Sequence, residues 1–260
     1  SNVSFEANNF VASSITTSGR NITINTTGDT TISGLLSTAG ASSSSGNGGN
    51  GGSVEIIADG TLTLNSITSN GGNSTYNNYS RYYDYGEHQY RYRSGSSYTG
   101  GDAGNIELRG GVISVSGSIN AIGGSSNTGD MGLSGLLTLR IIEDSSLVGS
   151  INVGGLSFYS RDKFSNPTLS LSSSFLYLGD VVINSGALSI IGSSLLSGGN
   201  YSNVLSASSG GTFNFLSSAG QEFQAGSLAG AGEINFAGSN SAGVSIYGNQ
   251  PFAGTMNVAQ

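Results

Sequence analysis

The chain has 260 residues, room for one long domain or two ordinary ones, and it has no cysteine and a single histidine, which leaves no disulfide framework and no zinc site. Charged residues are 9% of the chain and the formal net charge is -7 with eight Lys and Arg, which excludes a phosphate-tracking surface and nucleic-acid partners. Gly reaches 43 residues, yet Ile, Val and Leu recur in short alternating runs, a pattern of ordered strands rather than of disorder.

Period-two segments of four to six residues between Gly, Ser, Asn and Asp clusters predict strands along the whole chain and no long helix. From Asn21, NITINTTGDTTISGLLSTAGAS predicts three short strands and a Gly/Ser-rich tail. The unit returns as SVEIIADGTLTLNSITSNGGNS from Ser53 and NIELRGGVISVSGSINAIGGSS from Asn105, with a weaker fourth copy, LLTLRIIEDSSLVGSINVGG, from Leu136. The turns before the second and third copies match as well, GNGGNGGSV against GGDAGNIEL, which makes Asn50 and Asp102 equivalent.

Alignment of the copies gives three apolar columns: Ile22, Val54, Ile106 and Leu137; Ile24, Ile56, Leu108 and Leu139; Leu35, Ile67, Ile119 and Ile151. If each copy is one coil, adjacent coils lie ~4.8 Å apart and the columns become aliphatic ladders inside a parallel β-helix, an all-β solenoid. A β-sandwich also shows short alternating strands, although its strands need not repeat in threes. From about residue 156 Phe enters the apolar positions, as in FLYLGDVVI, TFNFL and EINFAG. Residues 1–155 are therefore expected to form regular coils and 156–260 less regular ones, with a loop or joint at 161–167 and a domain change near Gly155 as the alternative.

The strongest local anomaly is TYNNYSRYYDYGEHQYRYRSGSSY, which falls between copies two and three and holds eight of the twelve tyrosines. Val54 and Ile106 are 52 residues apart against 32 and 31 for the flanking intervals, so a coil's length has been added at one corner. A Tyr, Arg, Ser, Gly and Asn mixture suits a binding loop, with rigid amphipathic rings and adaptable polar groups, and solenoid insertions project from one face. The candidate ligand-binding residues are Tyr76, Tyr79, Arg81, Tyr82, Tyr83, Tyr85, His88, Tyr90, Arg91, Tyr92, Arg93 and Tyr98. The alternative is a hairpin or flap whose rings cover the solenoid flank; alternating Tyr90, Tyr92 and Arg91, Arg93 suits a strand with unlike faces under either reading.

Other groups point less far. Asp29, Asp59, Asp102, Asp130, Asp144 and Asp180 lie mostly beside Gly in turns and are expected to cap them, since calcium needs several oxygens from successive repeats. Glycoside cleavage needs facing carboxylates, whereas Glu55 and Glu107 align at an outward position equivalent to Thr23 and Glu87–His88 are mere neighbours. No GxSxG elbow is evident. No enzyme activity, cofactor or metal is expected, and no membrane-spanning segment lies in the chain; any signal peptide or anchor is expected outside this sequence.

The blocks GNGGNGGSVEIIADGTLTL, GGDAGNIELRGGVISVSGSINAIGG and NITINTTGDTTISG resemble the filamentous-haemagglutinin-like exoproteins of two-partner secretion, particularly Gly/Ser-rich cyanobacterial ones. GSLAGAGEINFAGSNSAGVSIYGNQPFAGTMNV is similar to the repeats of autotransporter passenger domains. The resemblance implies a right-handed β-helix, export from a Gram-negative-type bacterium and surface adhesion, with carbohydrate or a host or matrix surface as partner. The alternative is a self-associating surface filament or surface-layer subunit, and a third reading is a polysaccharide lyase or hydrolase.

Overall fold

A computed structural model describes residues 2–76, 79–84, 86, 87, 89–94, 97–162, 165–172, 176–191, 195–197, 203–217, 222–238, 243–248 and 251–259. Among the described residues there are 24 strands and no helix, hence none long and apolar enough to cross a membrane. Of these strands, 22 join one system whose pairings are all parallel, and the remaining two pair antiparallel with each other.

The parallel pairings fall into three series, each linking a strand to its counterpart in the next repeat. In the first, Val3, Ile22, Val54, Ile106, Leu137, Leu156, Val181, Leu205 and Leu228 are successive partners. The second contains Ala12, Ile32, Leu64, Val115, Leu147, Leu171, Ile190, Phe215, Phe236 and Val258. The third runs through Ile15, Leu36, Ile67, Ile119, Ile151, Leu176, Leu195, Phe223 and Val244.

Alternation along each strand puts these columns on one side, so Ile22, Ile24, Val54, Ile56, Ile106, Leu108, Leu137 and Leu139 are all buried while the residues between them are not. Burying each such side chain contributes roughly 1.5–3 kcal/mol. Because its neighbours belong to the adjacent repeats, no repeat gains this alone.

The third column holds Leu36 and not Leu35. A register shift between Ile32 and Leu35 gives the first copy one extra residue, so Leu35 pairs with Ser66 and stays 42% exposed, while Leu36 pairs with Ile67 and is buried. A bulge of one residue moves every later side chain to the other face, and two adjacent leucines hid the slip from a gap-free alignment.

Past Gly155 the strands lengthen. Ile151–Ser160 leaves the third series and enters the first without a break, and Leu176–Ile191 crosses all three. Between described partners the pairing runs in register from Leu156 to Ile183 and shifts by one residue between Ile183 and Ser185. Phe158, Phe213, Phe215 and Phe223 are buried, and the Phe223 ring lies 5.7, 5.6 and 5.0 Å from those of Phe213, Phe215 and Phe236. Outside this core an amide ladder forms: Asn235 Nδ2 donates to Asn214 Oδ1 at 2.8 Å and Asn257 Nδ2 to Asn235 Oδ1 at 2.7 Å. In the segment 161–167, Lys163 and Phe164 lie outside the described residues, and the Arg161 guanidinium reaches back to the Ala58 carbonyl (3.3 Å) and to Asp59 Oδ1 (3.2 Å).

At the corners Asn21, Asp29, Asp102, Asp144 and Asp180 bridge repeats. A side-chain oxygen accepts the N–H of a residue in the next repeat, and the following N–H donates to that residue's carbonyl. Asn21 and Ile22 clasp Ser53 in this way (2.9 and 3.0 Å), and Asp102 and Ala103 clasp Leu133 (2.8 and 2.8 Å). Asp29, Asp144 and Asp180 likewise accept the N–H groups of Thr61, Thr168 and Val204 at 2.8, 2.7 and 2.9 Å. Corner N–H groups that would otherwise lack a partner are thereby satisfied.

The Gly/Ser-rich tails of three repeats are a second packed body, a lobe of two layers. Outgoing segments (38–43, 69–75, 121–126) stack in one layer and returning segments (47–52, 98–104, 129–135) in the other. A hydrogen-bonded zigzag joins the layers: Gly49 N–H donates to Ala41, Gly72 to Gly49, Gly101 to Gly72, Gly124 to Gly101 and Gly132 to Gly124, all at 2.8–2.9 Å. In the returning segments donation to a given neighbour repeats every third residue. Gly48 and Gly51 face the next returning segment while Gly49 and Gly52 face the outgoing layer, the period of a polyproline-II-like backbone. Such close approach requires glycine: a Cβ at Gly101 would lie 2.1 Å from the Gly49 oxygen, and one at Gly124 1.9 Å from the Gly72 oxygen.

Candidate functional site

The Tyr-rich insertion grows from the middle tier of this lobe, between outgoing segment 69–75 and returning segment 98–104. Its base is fixed on both neighbouring tiers. Thr99 N–H donates to Asn47 Oδ1 (3.0 Å) in the tier before, while Tyr98 N–H donates to Thr128 Oγ1 (3.2 Å) and the Tyr98 carbonyl accepts Ser126 Oγ in the tier after. The rings of Tyr76 and Tyr98 close the neck edge to face, with centroids 4.9 Å apart, a favourable geometry for aromatic quadrupoles.

Beyond the neck, Tyr79–Asp84 and Gln89–Ser94 pair as an antiparallel ribbon. Asp84 Oδ1 accepts the Gly86 N–H at 2.9 Å at its turn, the side-chain-to-backbone bond that favours Asp there. The register sets Arg81 opposite Tyr92, Tyr82 opposite Arg91 and Tyr83 opposite Tyr90. Cross-strand partners share a face and successive residues alternate. Positions 79, 81, 83, 90, 92 and 94, four tyrosines with Arg81 and Ser94, therefore fall on one face, and positions 80, 82, 84, 89, 91 and 93 on the other.

Ten of the twelve candidate residues are thus brought together: Tyr79, Arg81, Tyr82 and Tyr83 on the first strand, Tyr90, Arg91, Tyr92 and Arg93 on the second, Tyr76 and Tyr98 at the neck. Tyr85 and His88 lie outside the described residues, and with His88 the Glu87–His88 pair.

The aligned acids occupy outward strand positions, Glu55 paired in register with Glu107. Glu107 Oε1 is held by the Arg109 guanidinium at 2.8 Å and Arg140 Nε at 3.2 Å, and Arg140 stacks 4.4 Å over the Tyr159 ring. This carboxylate serves an ion-pair network along the sheet surface.

Sequence reasoning overlooked the lobe that carries the ribbon. Its signal was present in Asn47-Gly-Gly-Asn50-Gly-Gly-Ser53, a repeat of three rather than two. Asn47, Asn50 and Ser53 accept the N–H groups of Thr99, Asp102 and Asn105 at 3.0, 2.9 and 3.3 Å, one clasp per turn of the backbone. Compared with protein-family models, with curated proteins and with solved structures, the chain matches none.

Proposed function

We propose that the chain is an adhesin-like stalk of a bacterial cell surface, a right-handed parallel β-helix that holds a Tyr/Arg ribbon away from its flank to bind carbohydrate. The observation that carries this reading is the ribbon itself, which among the described residues pairs only within its own two strands and stands on a lobe anchored from both sides. Three series of in-register parallel pairings support the solenoid, and the strong preference of parallel crossovers supports its hand. A face of four tyrosine positions offers flat apolar surface with polar rims, the chemistry that stacks on sugar rings, and Arg on both faces suits acidic sugars. The likeness of the repeats to filamentous-haemagglutinin-like exoproteins agrees with surface export. No catalytic activity is assigned.

A second reading, a self-associating filament, draws on Met131 and Leu133, each 74% exposed on the outermost returning segment of the lobe. Glycan-array binding of the chain and of a variant with residues 79–94 replaced by a short Gly/Ser turn separates the two. The proposal requires glycan binding that falls at least tenfold in the variant while its melting temperature stays unchanged. Absence of glycan binding, with self-association of the chain lost on Met131→Ser and Leu133→Ser, would establish the filament instead.

A further inference from the structure

The chain has three Asn–Gly pairs, Asn47–Gly48, Asn50–Gly51 and Asn70–Gly71, and all lie in the lobe. Such pairs are prone to deamidation because glycine has no side chain to obstruct the attack. The glycine nitrogen bonds to the asparagine Cγ as the Cγ–Nδ2 bond breaks, ammonia leaves with the proton lost from the glycine amide, and water opens the succinimide to aspartate or isoaspartate. Two freedoms are needed: the glycine N–H must be able to lose its proton, and the asparagine side chain must swing its Cγ over that nitrogen.

At each pair a single residue of the next tier removes both freedoms. Thr99 donates its N–H to Asn47 Oδ1 at 3.0 Å and accepts the Gly48 N–H at 2.9 Å. Asp102 holds Asn50 and Gly51 at 2.9 and 2.8 Å, and Ile122 holds Asn70 and Gly71 at 2.9 and 2.9 Å. The clasp that builds the lobe is thus the clasp that blocks the chemistry.

We infer that Asn47, Asn50 and Asn70 are latent modification sites, shut while the tiers are stacked and opened by separation of the lobe. The two products have different consequences. Aspartate keeps an acceptor in place, as Asp102 does one tier on with the Leu133 N–H at 2.8 Å. Isoaspartate lengthens the backbone by one methylene, puts the three-residue rhythm of donation out of phase, and prevents the tier from closing again, so each opening leaves a permanent mark.

Peptide mapping by mass spectrometry of the whole chain, incubated at mildly alkaline pH with and without denaturant, tests this. Deamidation at the three sites should be at least about thirtyfold slower in the native chain, the factor that two ordinary intramolecular hydrogen bonds supply. The variant Gly101→Ala, whose new Cβ meets the Gly49 carbonyl, should raise the native rate at Asn47 and Asn50 toward the denatured one. Equal rates in native and denatured wild-type chain would overturn the inference whatever the variant does. So would a folded Gly101→Ala chain whose lobe amides exchange freely with deuterium while Asn47 and Asn50 deamidate no faster.

Discussion

The stacked strands and the lobe are continuous stretches of the same repeats, yet they cohere by different means. In the strands of the inner repeats, alternate side chains are removed from water and Ile22, Val54 and Ile106 form one file. Residues 47–52 of the lobe contain no apolar side chain larger than a hydrogen, and what joins them to their neighbours is backbone donation every third residue, helped by Asn side chains. A buried aliphatic side chain is worth roughly 1.5–3 kcal/mol and a net hydrogen bond about 0.5–1.5 kcal/mol, while glycine loses more backbone entropy than any other residue on being ordered. The lobe is therefore the weaker partner, ordered because the strands already hold its six ends in register.

The largest effect is expected in the file. Ile56 is buried between Ile24 and Leu108, and Ile56→Ala should cost about 2–5 kcal/mol, the transfer loss plus an unfilled cavity. Denaturant unfolding followed by far-ultraviolet dichroism measures it, and deuterium exchange should show strand and lobe amides losing protection together, since the lobe has no support of its own. Lobe amides that keep their protection in this variant would show that the tiers stand independently of the strands.

Gly101→Ala should reverse that pattern. The added methyl collides with the backbone oxygen of Gly49, which cannot rotate away as a side chain would, and such overpacking costs about 1–3 kcal/mol. Exchange at Gly49, Gly51 and Gly72 should accelerate while the amides of Ile22 and Ile106 remain protected, because the lobe's opening breaks no strand pairing. Uniform loss across both regions would mean that strands and lobe unfold as one unit.

The two periods also explain what could be read from the sequence. Alternation of two is dictated by burial, so the columns from Ile22 to Leu137 and from Ile24 to Leu139 were legible before any coordinates, apart from the choice between Leu35 and Leu36, which a single bulge decided. The period of three in Asn47–Ser53 buries no apolar side chain; a reading keyed to hydrophobicity takes it for a turn. The position of the Tyr/Arg insertion was evident from the 52-residue interval, and its ribbon from alternating Tyr90 to Arg93, but its mounting depends on Ser126 and Thr128, which resemble any other corner residues. In the C-terminal half the loss of clear copies reflects shorter corners, with strands such as Leu176–Ile191 passing from one series to the next.

The smallest effect isolates the clasp from the charge of the group that makes it. Asp102 Oδ1 accepts the Leu133 N–H at 2.8 Å, and Asp102→Ala removes that acceptor from a donor lying near solvent, so water replaces most of it and the cost should be about 0.5–1 kcal/mol. Asn50 performs the same task one tier earlier with a neutral amide at 2.9 Å, so Asp102→Asn should be nearly neutral. Denaturant midpoints of the two variants, measured at low and high salt, decide the matter. If Asp102→Asn loses as much as Asp102→Ala and the loss shrinks with salt, the carboxylate acts through its charge and the corner positions are not interchangeable. If Asp102→Asn is silent at both ionic strengths, what the repeat demands is an acceptor oxygen and not a charge, which is why Asn and Asp substitute for each other from tier to tier.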